Sequence, residues 1–319
     1  MILTPEEIDF SAYLKRYPEQ ANVIPAWAYA DVVQDYFNGK LGHQGMKMPW
    51  SKTHGDFAFR PGEVTLWVGR NYSGKSLIVN QAVVLQAMVQ HEPCVVASME
   101  MKPHVTMARM TRQAAGARHP SDGFIQAFHD WTEGKLWLYT QQGTVDTNRI
   151  LSVIRYCHEA LKHNGQKVTV RHFIVDSLMK CGLAVDDYTR QKDFVDALCA
   201  CARDFNQHIH LIAHKKKEGS ENGIGDRYSA KGASEISDQV DNVIIVWRNE
   251  RKESEANLPP GDQDTDIMAG PDAILRVDKQ RHGEWSGDWK FWFHKESMQY
   301  VAAEGLRPIE FFEYHREAA

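Results

Sequence analysis

A lysine and a hydroxyl placed directly after a glycine-bearing turn can hold the phosphates of a nucleotide. Residues 69–76 read Gly-Arg-Asn-Tyr-Ser-Gly-Lys-Ser, the spacing G-x-x-x-x-G-K-[ST] of a phosphate-binding loop. Gly69 and Gly74 let backbone N–H groups turn inward around an anion. The helix that follows presents its positive end to the same charge. Lys75 then reaches the β and γ oxygens of ATP, and the Ser76 hydroxyl coordinates Mg2+. A pattern that fixes four positions also arises by chance. The apolar run VTLWV before it and the helical stretch after it are the context that argues against chance. Arg70, Asn71, Tyr72 and Ser73 fill the variable part, where Tyr72 either shapes the loop or touches phosphate.

Two carboxylates stand at the ends of later apolar runs. Asp176 closes RHFIVD, about 100 residues after Lys75. Beside the phosphate-loop strand it would hold Mg2+ through water; the alternative is an ordinary turn aspartate. Glu100 follows CVVASM. There it lies at the edge where open α/β sheets bind ligands, able to orient or deprotonate an attacking water. The alternative is a solvated surface glutamate.

These side chains need a sheet to hold them, and the pattern supplies one. Short apolar strands at 64–68, 94–97, 135–139, 173–175, 209–213 and 243–247 alternate with helical stretches. Ile150, Ile154, Cys157 and Leu161 mark one helical face, and Phe194, Leu198, Cys201 and Phe205 another. Alternation of this kind predicts an α/β fold, a mostly parallel sheet with helices on both faces. Runs at 274–277, 289–293 and 298–301 predict antiparallel strands at the end. Residues 249–272 are polar and read as a surface loop. Residues 1–60 read as a helical appendage, with short helices before Pro18 and after Pro25 and a connector over 42–59; the motor domain spans 61–319.

Composition narrows the class. The chain is 43% hydrophobic and 25% charged, as expected of a globular protein with a sizeable core. No apolar run approaches the ~20 residues of a membrane helix, and the acidic start lacks a signal-peptide pattern. Five cysteines without metal-ligand or redox spacing read as reduced thiols of a cytoplasmic protein. The net charge of −5 excludes a globally basic nucleic-acid coat, so any contact with nucleic acid must be a local patch.

The order of motifs now becomes recognisable. After the phosphate loop come S-M-E-M (98–101), F-I-V-D-S-L (173–178), H-L-I-A-H-K-K (210–216) and K-Q-R-H-G-E (279–284). Over residues 60–302 this resembles the RecA-like P-loop NTPase motor of hexameric replicative DNA helicases: the DnaB type, phage primase-helicases and Twinkle. The resemblance implies ATP and Mg2+ as cofactors. It makes Glu100 the catalytic base, Asp176 the Walker B carboxylate and His214 the sensor of the γ-phosphate. It also makes Arg281 an arginine finger, with Lys279 its basic partner, acting on ATP held by the adjacent subunit of a homo-oligomer. Without it, Lys279 and Arg281 would read as a solvated strand end.

The resemblance further implies a loop that grips single-stranded DNA in a central channel. Lys215, Lys216, Lys217, Arg227 and Lys231 lie in the polar stretch after His214, and Lys180 lies in a second loop after Asp176. Such a grip needs cations along a backbone rather than base readout. The chain departs from the family in having no zinc-binding cysteine set and no space for a primase domain before residue 60, so a separate primase or polymerase is the expected partner. Two rivals remain: a filament-forming recombination or annealing ATPase, and a nucleotide-dependent accessory protein that does not translocate.

Overall fold

The computed structural model describes residues 2–3, 25–38, 45–184, 187–214 and 234–314. Among them one mixed sheet has ten strands. In chain order these are β1 (Ile2–Leu3), β2 (Val64–Gly69), β3 (Cys94–Ser98) and β4 (Leu136–Tyr139), then, after a small hairpin of β5 (Lys162–His163) and β6 (Gln166–Lys167), β7 (His172–Asp176), β8 (His208–His214), β9 (Asn242–Arg248), β10 (Ala273–Gln280), β11 (Gly287–His294) and β12 (Gln299–Val301). The spatial order is β1-β4-β3-β7-β8-β2-β9-β10-β11-β12. Pairing is parallel from β1 through β9 and antiparallel from β9 to β12. The predicted mostly parallel sheet with antiparallel C-terminal strands is therefore present.

Strand side chains alternate between two cores. Val64, Leu66 and Val68 enter one apolar cluster, together with Phe173, Val175, Ile209 and Leu211. Trp67, Ile174, Ile212 and Ile244 enter the other. Burial on both faces explains why these strands read as continuous apolar runs. The first face is covered by α6 (Thr147–Glu159) and α7 (Tyr188–Phe205), through Ile150, Ile154, Cys157, Phe194 and Leu198. The helix after the phosphate loop covers the second. It begins as α2 (Lys75–Val79), passes through a π-helical stretch (Asn80–Leu85) and ends as α3 (Gln86–Val89). Beside it lie α4 (Pro103–Ala115) and α5 (Asp122–Trp131), the latter capped by the Ser121 hydroxyl. All five cysteines are buried free thiols.

Two stretches differ from their sequence reading. Residues 45–59, read as a connector, put Met46, Met48, Trp50, Phe57 and Phe59 into the second core. Trp50 donates its indole N–H to the Tyr300 carbonyl, 2.8 Å away. Its partner stands 250 residues along the chain, which is why no local period announces the contact. Residues 249–272, read as a loop, contain α9 (Glu250–Glu255) and α10 (Thr265–Ala269), preceded by α8 (Ser234–Gln239) on the other side of β9. Asn249 and Asp264 cap the two short helices. Lys252 anchors them by bonding Asp272 at 2.9 Å and the Gly270 carbonyl at 2.7 Å. Capping and one buried ion pair, not an apolar face, order this segment. By contrast, α1 (Ala30–Phe37) leaves Val32, Val33 and Phe37 exposed, as are Trp27 and Tyr29 just before it. The expected helix before Pro18 lies outside the described residues.

A polar strip crosses the second face beneath Phe59. His208 bonds the Thr65 hydroxyl (2.8 Å) and the Arg60 carbonyl (2.6 Å). His172 bonds Glu92 (2.6 Å) and His210 (3.1 Å). Burial pushes the His208 imidazole down to about 3. Folded His208 thus stays neutral where the unfolded chain, with an ordinary histidine near 6.5, takes up a proton. The stability it contributes is complete above pH 6.5 and is lost as pH falls from 6.5 toward 3, by at most about 1.4 kcal/mol per unit. His208→Gln is expected to make the urea midpoint less sensitive to pH across this window. Equal slopes for the two proteins would contradict the assignment.

Candidate active site

Parallel register brings four strand ends to one edge of the sheet. Gly69 at the end of β2 is opposite His214 at the end of β8. Asp176 at the end of β7 is opposite Ser98 on β3, two residues before Glu100, and opposite Ile212 on β8. Residues far apart in sequence are therefore neighbours by construction.

The loop itself is tightly built. Gly74 has φ +87°, and a Cβ there would come within 2.2 Å of the Tyr300 hydroxyl. A Cβ at Gly69 would meet Ser73 Oγ at 2.5 Å and the Val246 carbonyl at 2.6 Å. Both positions accept only glycine. Lys75 is buried and donates to the Gly69 (2.9 Å) and Arg70 (2.7 Å) carbonyls. Those two oxygens stand where phosphate oxygens would compete for the ammonium. Burial lowers Lys75 to about 8, against the pull of Asp176 and Glu100.

Ser76 Oγ donates to Asp176 Oδ2 at 2.8 Å. Burial raises Asp176 to about 6, opposed by that hydrogen bond. A hydroxyl and a buried carboxylate at this separation are hard oxygen donors of the kind Mg2+ takes, with phosphates and waters completing its shell. Glu100, one-third exposed, bonds His214 Nε2 at 3.4 Å and Ser177 Oγ at 2.5 Å. The His214 bond is the main reason its carboxyl is held down at about 2, with burial opposing and Ser177 assisting. Gly69, Lys75, Ser76, Glu100, Asp176 and His214 thus converge on one edge.

Other expected residues lie elsewhere. Tyr72 is 90% exposed, with φ +65°. Arg70 pairs with Glu250 of α9 at 3.3 Å. Lys180 sits close enough to Glu100 to lower its pKa, so it flanks this site. Lys279 and Arg281 are at the opposite edge of the sheet, where β10 ends against the start of β9. Lys279 bonds the Ser237, Asp238 and Val240 carbonyls after α8. Arg281 pairs with Asp241 at 3.0 Å and bonds the Asp238 and Gln239 carbonyls, with 40% of its side chain exposed. Lys215, Lys216, Lys217, Arg227 and Lys231 lie outside the described residues.

Sequence reasoning missed four contributors. Arg248, at the end of β9, donates to the Tyr72 carbonyl (2.9 Å) and pairs with Glu253 of α9, bracing the loop from the side. Tyr300 packs behind Gly74, fixed through its backbone by Gln81. Ser177 holds Glu100. Asp241 ties Arg281 to the start of β2 by accepting from Val64 N–H at 2.9 Å. The position of Ser177 beside Asp176 was the one signal available in sequence.

No family model matches this sequence, and no curated protein does so. Solved structures match in fold. One is a helicase ATPase domain, with TM-score 0.69 and 13% identity, covering 88% of this chain and 100% of that one. Another is a DnaB-like replicative helicase described with its interactions with primase, with TM-score 0.69 and 13% identity, covering 87% of this chain and 68% of that one. This chain has the fold of a DnaB-like helicase ATPase domain. The RecA-like fold expected from motif order is therefore present, at an identity where likeness speaks for fold alone.

Gly74→Ala forces a Cβ into the left-handed region and against Tyr300. Strain of this kind is expected to lower affinity for a non-hydrolysable ATP analogue by about tenfold or more. Titration calorimetry on the folded variant checks this; unchanged affinity would show that the loop does not hold phosphate.

Proposed function

We propose that this chain is an ATP-hydrolysing motor of the replicative-helicase kind, moving along single-stranded DNA as a ring. The observation that carries the reading is the split between the two edges of the sheet. Phosphate loop, metal carboxylate, water-activating carboxylate and His214 share one edge. Arg281 lies at the other, roughly 17 Å away along the six-residue β2. An arginine side chain cannot span that distance, so Arg281 can reach a γ-phosphate only in a neighbouring copy. Phosphoryl transfer spreads negative charge over the γ oxygens, and an arginine supplied in trans stabilises it.

In this reading Mg2+ is held by Ser76 and Asp176 and supplies charge neutralisation at the β and γ oxygens. Lys75 leaves its loop carbonyls for phosphate, Glu100 takes a proton from water, and His214 reports the γ-phosphate to the segment that follows it. That segment carries Lys215, Lys216, Lys217, Arg227 and Lys231, which would grip the DNA backbone. Lys180, beside Glu100, would contribute at the inner end of the grip. A separate primase is the expected partner, by analogy with the helicase whose structure is described with its interactions with primase.

The exposed segment 25–38 supports assembly. Its apolar side chains match a groove of about 680 Å³ lined by Pro103, Met107, Ala108, Thr111, Ile125 and Leu138. Docking α1 of one copy in this groove of the next would close a ring.

Electron microscopy with an ATP analogue and single-stranded DNA tests both proposals. Closed rings are expected for the full chain and their loss on deleting residues 1–44; filaments would favour a recombination ATPase, and monomers an accessory switch. Arg281→Ala is expected to abolish hydrolysis while nucleotide binding stays within about twofold. Hydrolysis at the normal rate would remove Arg281 from the site.

A further inference from the structure

The Ser177 side chain makes an unusual choice of partner. Ser177 stands at the N-cap of the one-turn helix Leu178–Lys180, where a serine hydroxyl normally accepts from the helix backbone. It makes no such bond. Its fully buried hydroxyl donates instead to Glu100 Oε1 at 2.5 Å. The backbone on both sides is fixed for this purpose. Asp176 O accepts from Met99 N–H (2.9 Å), locking the end of β3 against β7 one residue before Glu100. Ser177 O accepts from Lys180 N–H (2.9 Å), holding the turn that carries the hydroxyl.

The second bond of this carboxylate to the described residues, from His214 Nε2, also ends on Oε1. Oε2 is left to the solvent-facing side of a group that is one-third exposed. We propose that Ser177 is a positioning residue for hydrolysis: its hydroxyl fixes Glu100 by Oε1, so that Oε2 is the oxygen that accepts the proton of the attacking water. This rests on the reading of Glu100 as the water-activating group. In the step so arranged, a water O–H bond breaks and its proton goes to Oε2. The water oxygen forms the new bond to the γ phosphorus, and the bond to the bridging oxygen breaks, its electron pair leaving with ADP.

Because Ser177 follows Asp176 in the chain, the metal-side carboxylate and the water-side carboxylate are set by adjacent residues of one strand end. A shift of Asp176 on its metal would carry the hydroxyl, and with it Glu100, in the same direction. Adjacency of this kind aligns the two halves of the reaction without a separate element.

A double-mutant cycle tests the proposal by single-turnover ATP hydrolysis, with analogue affinity measured alongside. Ser177→Ala is expected to slow hydrolysis by about tenfold, the worth of a hydrogen bond to a charged group, with affinity unchanged. In the Glu100→Gln background the same change is expected to cost less than about twofold. Ser177→Cys, of similar size but a weak donor, gives the same cycle if the alanine variant does not fold, with a loss of about threefold or more expected. A normal rate for the serine variants, or an equal loss in both backgrounds, would overturn the positioning role while leaving Glu100 in place. A normal rate for Glu100→Gln would instead overturn the reading on which the role rests.

Discussion

Parallel pairing in one register is the constraint on which the site depends. Each parallel strand must end at the same edge as its neighbour, because the connecting helix returns the chain to the start of the next strand. The pairings Gly69 with His214 and Ser98 with Asp176 follow from this. A slip of one residue on any of these strands would turn Trp67 or Leu211 out of its core, so the cores fix the register and the register fixes the site. The antiparallel strands serve the same edge from behind, where Tyr300 presses on Gly74 and Arg248 on the Tyr72 carbonyl.

The charges at that edge are held away from their ordinary states. Lys75 is pushed down by burial and Asp176 is pushed up, each toward its neutral form. Phosphate oxygens would favour the charged lysine and a divalent cation the charged aspartate, so both ligands would relieve a condition built into the loop. Glu100 is pulled the other way, charged and anchored by His214 and Ser177. Groups fixed before a ligand arrives need little reorganisation during reaction. The pattern fits a proposed site that closes only when a second copy brings Arg281.

Local features were legible in sequence and distant ones were not. The phosphate loop could be read because glycines, lysine and serine act within eight residues. Asp176 and Glu100 could be read because each ends an apolar strand. Ser177, Arg248 and Tyr300 work through contacts about 77 to 230 residues away, and nothing in their immediate neighbours marks them. The stretch 45–59 looked structureless because its aromatic residues pack on strands far along the chain. The helices α9 and α10 were missed for another reason: their order comes from caps and the Lys252–Asp272 pair, which leave no hydrophobic period. The roles of Lys279 and Arg281 remain a matter of assembly, since within one subunit both are occupied at the end of α8.

Mixing two inactive variants tests most directly whether the hydrolytic site is an interface. Lys75→Ala removes the phosphate contact and Arg281→Ala removes the finger, each from every interface of its own oligomer. Co-assembled in equal amounts, they leave about one interface in four with both residues intact. ATP hydrolysis is expected to return to roughly that fraction of the normal rate. A mixture that exchanges subunits yet stays as inactive as its components would contradict a site shared between neighbours.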